Sequence, residues 1–234
     1  MTKETLRKTG VHSTRCSDRK IRALRENVVQ WFSKYGRDFP WRRESDPFHI
    51  FLAEMLLRKT QATRLVQPYL ELTRRYPDAF ALADADISEL RAWFRPLGLV
   101  MRADRLVKTA HILVESYGGK VPRDFEAILA LPGMGKYSTR AILCIAFGQP
   151  YSMVDEGSGR VLRRVFDMPA RGPAYSDATV LQLAQTILPM ASYREYNLGL
   201  IDIAAIYCHV KRPECTLCPL IDLCARARIA EKHM

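Results

Sequence analysis

Apolar positions recur every three or four residues along most of the chain, which is the spacing of an amphipathic α-helix. No convincing run of alternating apolar and polar positions, the pattern of a half-buried strand, occurs anywhere in the sequence. The pattern therefore predicts an all-α fold without internal repeats, and it leaves open whether 48–77 forms one long helix or two shorter ones. The predicted helices cover 21–35, 48–77, 86–98, 102–119, 124–131, 136–148, 157–165, 176–188 and 197–208.

Length and charge narrow the class of protein. The chain has 234 residues, of which 48% are hydrophobic, so it can build one large domain or two smaller ones. Its formal net charge of +11 favours a polyanionic partner such as nucleic acid, although a merely basic surface would carry the same charge. The basic segment 1–20 has no apolar core of a secretory signal, and we expect it to be a disordered tail. No apolar run is long enough to span a bilayer, so we expect an intracellular protein.

The cysteines near the end of the sequence are clustered. Cys208, Cys215, Cys218 and Cys224 follow the spacing C-x6-C-x2-C-x5-C. Such spacing presents thiolates to one metal centre, either tetrahedral zinc or an iron–sulfur cluster. Two disulfides are a poor alternative in an intracellular protein.

Three separated motifs together resemble a known family. They are LPGMGKYSTRAI from 131, VDEGSGRVLRRVF from 154, and the cysteine spacing above. In this order they resemble the iron–sulfur branch of the helix-hairpin-helix DNA glycosylase superfamily, which includes adenine glycosylases, endonuclease-III-like enzymes and thymine–guanine mismatch glycosylases. The resemblance implies a [4Fe–4S] cluster held by the four cysteines. It also implies two helical lobes with a DNA groove between them: a six-helix barrel at 40–149, with its hairpin at 127–147, and a cluster lobe from 21–39 and 150–226.

The hairpin motif is expected to grip the DNA backbone. Gly133 and Gly135 permit a tight turn and a close approach of backbone N–H groups to a phosphate, and Lys136 adds charge nearby. In relatives that also cut the strand, a lysine occupies the position of Tyr137. A tyrosine cannot form a Schiff base with the sugar, so we expect a monofunctional enzyme that uses water. The alternative for Tyr137 is a packing role.

The resemblance also implies two catalytic carboxylates. Asp155 would stabilise positive charge on the sugar or activate water, and the same residue could cap the helix that follows it. Glu54 would bind or protonate the departing base, and in an apolar pocket its pKa should rise. The alternative for Glu54 is a surface ion pair with Arg58, because the two residues are four positions apart.

A glycosylase must also fill the gap that the flipped base leaves. The resemblance places Arg58, Lys59 and Gln61 on the segment that enters the duplex. Glu54, Arg58 and Gln61 are spaced i, i+4 and i+7, and we expect them to share one helix face. Leu99 matches a second insertion point, although it could equally be an ordinary packing residue.

Tyr137 and the basic pair Arg58 and Lys59 make the resemblance closest to the thymine–guanine mismatch glycosylases. The resemblance therefore implies a monofunctional DNA glycosylase of base excision repair that removes thymine or uracil opposite guanine from double-stranded DNA. Adenine excision from A·G or A·8-oxoguanine pairs is the close alternative, although the few residues after Cys224 leave no room for the second domain of adenine glycosylases. The run Glu156-Gly157-Ser158-Gly159 departs from the family pattern and leaves a modified pyrimidine as a further substrate. A non-catalytic DNA-binding module and an electron-transfer protein are the alternatives of a different class. We expect a cytoplasmic monomer.

Overall fold

The computed structural model describes residues 17–58 and 60–227, and within them the chain is helical and contains no strand. The predicted all-α class is therefore confirmed. The α-helices are α1 (Asp18–Tyr35), α2 (Pro47–Leu57), α3 (Val66–Arg75), α4 (Ala79–Ala83), α5 (Ile87–Phe94), α6 (Val100–Tyr117), α7 (Phe125–Leu129), α8 (Lys136–Phe147), α9 (Glu156–Phe166), α10 (Ala178–Thr186) and α11 (Tyr193–Ile206). Short 3₁₀ segments lie at Pro40–Arg42, Ala62–Leu65, Ala174–Ser176, Cys215–Leu217 and Ile221–Leu223.

Polar side chains set several helix boundaries. Helix α1 begins at Asp18, earlier than the pattern predicted, because the Ser17 hydroxyl accepts the Lys20 N–H at 3.2 Å. Residues 18–20, which we predicted to belong to the disordered tail, are thus part of α1, and residues 1–16 lie outside the described part. The stretch 48–77 forms two helices, because the backbone turns to an extended conformation at Arg58. Aspartates cap α2, α4, α5, α7, α9 and α10 in the same way as the serine of α1.

The described residues form two compact units. The first, here called the split unit, contains 17–37 and 150–227, and the second, the inserted unit, contains 38–58 and 60–149. The polypeptide therefore leaves the split unit after α1 and re-enters it before α9.

The core of the split unit forms where α1 and α9 pack on α11. Gly199 on α11 permits the close approach of α1, since a Cβ there would lie 2.7 Å from a methyl carbon of Val28. The end of α1 is held by an ion pair in which Arg37 lies 2.7 Å from Asp202, a carboxylate fully buried in α11. These contacts join segments that are distant in sequence.

Helix α2 forms the centre of the inserted unit. It packs against α8, α3 and α6, and its side chains from Phe48 to Leu56 are buried almost without interruption. Helices α4 and α5 pack on α6. One carboxylate, that of Glu54, lies within this apolar helix and is only 6 % exposed. In the part of the chain that the structure describes, no helix combines the length and apolar character that crossing a bilayer requires.

Candidate active site

The hairpin joins α7 to α8 through a turn that requires glycine at one position. Gly133 has a φ of +86°, and a Cβ there would lie 3.1 Å from the Arg105 side chain. Gly135 precedes α8 and supplies no side-chain cap, and a Cβ there would meet nothing within 4 Å. Because no side chain caps the start of α8, its first N–H groups can bind an external acceptor. Lys136 is exposed beside them, and Tyr137 is half-buried.

Glu54 is a buried acid beneath this hairpin. A hydrogen bond from the hydroxyl of Ser138, in the first turn of α8, holds its carboxyl group. Burial raises the pKa of Glu54 to about 8, although the hydrogen bond from Ser138 and the charge of Arg58 both act to lower it. The predicted rise in this pKa is thus present, and Glu54 is largely protonated near neutral pH. Such a group can donate a proton to a departing base.

The segment after α2 differs from its sequence interpretation. Helix α2 ends at Leu57, so Arg58 and Gln61 do not continue the face that carries Glu54, and that prediction was wrong. Arg58 is extended and exposed, and its guanidinium donates to the carbonyl of Gly133. The surface ion pair with Glu54 is therefore not formed. Gln61 is exposed at the start of a 3₁₀ segment, while Lys59 lies outside the described residues.

The second predicted insertion point lies at the start of α6. Leu99 precedes this helix and is half-buried. Met101, two residues later, is 68 % exposed. The exposed apolar side chain at this end of α6 is therefore that of Met101, which the sequence interpretation did not single out.

Asp155 lies in the split unit and caps α9. Its carboxylate accepts the backbone N–H of Ser158 at 2.6 Å and the hydroxyl of the same serine at 2.7 Å. The serine hydroxyl in turn accepts the N–H of Asp155 at 2.9 Å, which completes a capping box. Asp155 is half-buried. The predicted cap is thus present, and it holds one carboxylate oxygen in a fixed position.

Two side-chain amides hold the extended segment that leads to Asp155. Asn197 accepts the N–H of Met153 and donates to the carbonyl of Tyr151, both at 2.9 Å. Gln185 accepts the N–H of Ser152 at 2.9 Å. These side chains make hydrogen bonds to backbone N–H and C=O groups of the extended segment, as a neighbouring strand would in a sheet. Asn197 is a polar residue in an apolar helical run, and this signal could have identified it from sequence.

The departure from the family pattern after Asp155 has a packing explanation. A Cβ at Gly159 would lie 2.3 Å from that of Ala174, and the Glu156 carboxylate accepts the Ala174 N–H at 2.8 Å. A Cβ at Gly157 would lie 3.4 Å from an Asp155 carboxylate oxygen. Glu156 and Gly159 therefore anchor the 3₁₀ segment 174–176, and the space beside Gly159 is filled.

The four cysteines surround one cavity in the split unit. Cys208 follows α11, whereas Cys215, Cys218 and Cys224 lie in or directly after the two 3₁₀ turns. The cavity that all four line has a volume of about 190 Å³. The spacing of these cysteines predicted a common site, and the structure brings them together around it.

Two arginines of α9 hold the first cysteine. Arg164 donates to the sulfur of Cys208 at 3.2 Å, and Arg160 donates to its carbonyl at 2.8 Å. The pKa of the Cys218 thiol is raised to about 11, chiefly by burial and also by the neighbouring cysteines, while a backbone hydrogen bond from Leu220 acts to lower it. A positively charged centre in the cavity would offset these effects and favour thiolates.

Comparison with known proteins identifies the family. Residues 52–186 match the family described as "HhH-GPD superfamily base excision DNA repair protein". The chain belongs to this superfamily, and within it the chain is a DNA glycosylase, as the sequence motifs predicted.

Two curated relatives and one solved structure are closely similar. The thymine-DNA glycosylase of Aeropyrum pernix is 39% identical over 212 residues, which cover 88% of this chain and 94% of the relative. The thymine/uracil-DNA glycosylase of Pyrobaculum aerophilum is 36% identical over 205 residues, covering 85% of this chain and 89% of the relative. The structure of a thermostable thymine-DNA glycosylase matches with a TM-score of 0.84 and 33% identity, covering 91% of this chain and 98% of that one. The predicted resemblance to mismatch glycosylases is thereby confirmed.

Proposed function

We propose that this glycosylase hydrolyses the N-glycosidic bond of thymine or uracil opposite guanine in double-stranded DNA. The observation that carries the proposal is the buried acid Glu54, held beneath the DNA-gripping hairpin with its pKa raised to about 8. Relatives named for thymine and uracil, matched over nearly their whole length, support the choice of base.

In the proposed reaction the bond between C1′ of the sugar and N1 of the base breaks, and its electron pair leaves with the base. Protonated Glu54 donates a proton to the departing base, which lowers the cost of that negative charge. The Asp155 carboxylate stabilises the positive charge on the sugar and accepts a proton from the water that adds to C1′. Its capping hydrogen bonds keep the carboxylate ready for this role.

Tyr137 explains the choice of nucleophile. Its side chain carries no amine, and Lys136 is exposed one position earlier on α8. No Schiff base with the sugar is therefore expected, and the product is an abasic site in an intact strand.

The cysteine cavity fits a [4Fe–4S] cluster. Its donor set is four thiols around a common space, which is the ligand set that such clusters use. When bound, the cluster would crosslink the segment 208–224, and the hydrolysis itself uses none of its chemistry.

Base release from a panel of labelled duplexes tests the proposed reaction. The panel contains T·G, U·G, A·G, A·8-oxoguanine and modified cytosines, each assayed with and without alkali. Strand breaks at T·G and U·G only after alkali would support both the substrate and the water nucleophile. Breaks without alkali would contradict the role given to Tyr137. Release from A·G alone would replace thymine with adenine as the substrate. No release from any duplex, with tight binding retained, would favour a base outside the panel or a DNA-binding module without activity.

Absorbance tests the cofactor separately. The purified protein should absorb at about 410 nm and contain iron and inorganic sulfide, and Cys218→Ser should lose this absorbance. Stoichiometric zinc without visible absorbance would contradict the cluster. The proposed monomeric state and cytoplasmic location are independent of this result.

A further inference from the structure

We propose that Arg58, Arg102 and Arg105 form a binding site for one phosphodiester group of the DNA backbone. The inference rests on the proposed function for the identity of its ligand. The three arginines line a single cavity of about 180 Å³, together with Met55. The site, here called the triple-arginine site, lies within the inserted unit.

Backbone carbonyls hold two of the three guanidinium groups in place. Arg102 donates to the carbonyl of Met55 at 2.9 Å and to those of Leu56 and Arg58, at the end of α2. Arg58 donates to the carbonyl of Gly133 in the hairpin. These contacts fix the two side chains without neutralising their charge, because a carbonyl carries only a partial charge. The site is thus ordered before any ligand binds.

Arg105 is the arginine of this site whose N–H groups are available to a ligand. It is exposed, and in the described part of the chain no hydrogen bond or ion pair engages it. Its side chain passes close to Gly133, so its guanidinium belongs to the surface beside the hairpin turn. A planar guanidinium with free N–H groups matches the geometry of a phosphate.

No carboxylate balances the charge of this site. Among the residues that the structure describes, none with a carboxylate lines the cavity. The nearby Asp104 on α6 is occupied by Arg91, at 2.6 Å. Glu54 lies one turn before Arg58, but its raised pKa keeps it largely neutral near pH 7. Burial lowers the pKa of Arg102, and the nearby charges of Arg58 and Arg105 lower it further, as expected where positive charges lie close together.

The position beside the hairpin favours a DNA phosphate over other anions. Most protein contacts to DNA are made to phosphates, and they fix the register of the protein on the duplex. The hairpin offers N–H groups and Lys136 to the backbone, and the triple-arginine site would hold a further phosphate of the same duplex. Since a phosphate carries no sequence information, the contact should act equally on matched and mismatched DNA.

The test measures how DNA affinity depends on salt, with Arg105→Gln as the variant. Arg74→Gln is the matched control, because Arg74 is an exposed arginine of the inserted unit on α3, outside the cavity. Fluorescence anisotropy on a matched duplex and on a T·G duplex gives the slope of log K against log salt. Arg105→Gln should reduce this slope by about one and weaken binding by roughly tenfold on both duplexes. Arg74→Gln should leave the slope unchanged.

Two outcomes would overturn the proposal. An unchanged slope for Arg105→Gln would show that no phosphate is bound there. A loss confined to the T·G duplex would show that Arg105 contacts a base. Arg105→Lys provides a second variant. It should retain the salt dependence of binding because it keeps the charge. It should lose part of the affinity because an ammonium group cannot form the paired hydrogen bonds of a guanidinium. Binding to the matched duplex involves no base release, so this result stands apart from the outcome of the glycosylase panel.

Discussion

Replacing Glu54 with glutamine tests the buried acid through stability as well as activity. Burial raises the pKa of Glu54 from its ordinary 4.5 to about 8 in the folded protein. In the unfolded chain the group keeps its ordinary pKa. Between these pH values the folded state retains a proton that the unfolded state releases. The free energy of unfolding therefore falls as the pH rises from about 4.5 and levels off above about 8.

The magnitude follows from the shift in pKa. Each pH unit within this interval lowers the stability by about 1.4 kcal/mol. The wild-type protein should thus lose about 3 kcal/mol by pH 7 and about 5 kcal/mol above pH 8, relative to pH 4. Glu54→Gln cannot ionise and escapes this loss. Any change that the substitution makes to the hydrogen bond with Ser138 does not depend on pH. The quantity to measure is therefore the slope, against pH, of the difference in unfolding free energy between the variant and the wild type.

Urea unfolding at pH 5, 6, 7 and 8 measures the difference between Glu54→Gln and wild type. The variant should become progressively more stable than wild type as the pH rises, while its base release falls by about 100-fold or more. Glu115→Gln, which removes a carboxylate at an exposed position of α6, is the matched control. A difference that does not change with pH would refute the assignment of Glu54 as a buried, protonated acid. Base release by the wild-type enzyme should decline as the pH rises through about 8.

Three further substitutions test other parts of the site. Gly159→Ala places a Cβ 2.3 Å from that of Ala174, so it should destabilise the protein by about 1–3 kcal/mol in urea titrations, and an unchanged midpoint would contradict this packing. Asp155→Asn keeps an oxygen acceptor for Ser158, so base release should fall by about 100-fold while stability changes by less than about 1 kcal/mol; comparable activity in both proteins would remove Asp155 from the reaction. Tyr137→Lys supplies an amine next to the hairpin and should allow borohydride to trap the protein on DNA, whereas the wild-type protein should give no trapped complex.

Local sequence signals predicted much of the fold and part of the site. Helical periodicity identified most helices, although α4 was not predicted. The spacing of the cysteines identified residues that the structure places around one cavity. Glu54 could be recognised as a buried acid because it interrupts an apolar run. These predictions succeeded because each depends on residues close together in sequence.

Features that depend on distant contacts were not predicted. The proposed shared face of Glu54, Arg58 and Gln61 was wrong because α2 ends where Arg102, from a helix more than 40 residues later, takes up its final carbonyls. The triple-arginine site exists only because α6 lies against that helix end. Likewise, the departure of the run 156–159 from the family pattern could not be explained from sequence, because Ala174, which fills the space beside Gly159, comes from a later segment.

The discontinuity of the split unit has a consequence for synthesis on the ribosome. The inserted unit is one continuous stretch, so all of its core residues emerge before the next segment of the split unit does. Helix α1 must wait for α11, since Val28 meets Gly199. At ordinary translation rates this delay is roughly ten to thirty seconds. During that time the apolar face of α1 has no native neighbour, which makes the nascent chain a client for chaperones and makes truncation before α11 more harmful than a break within a surface loop.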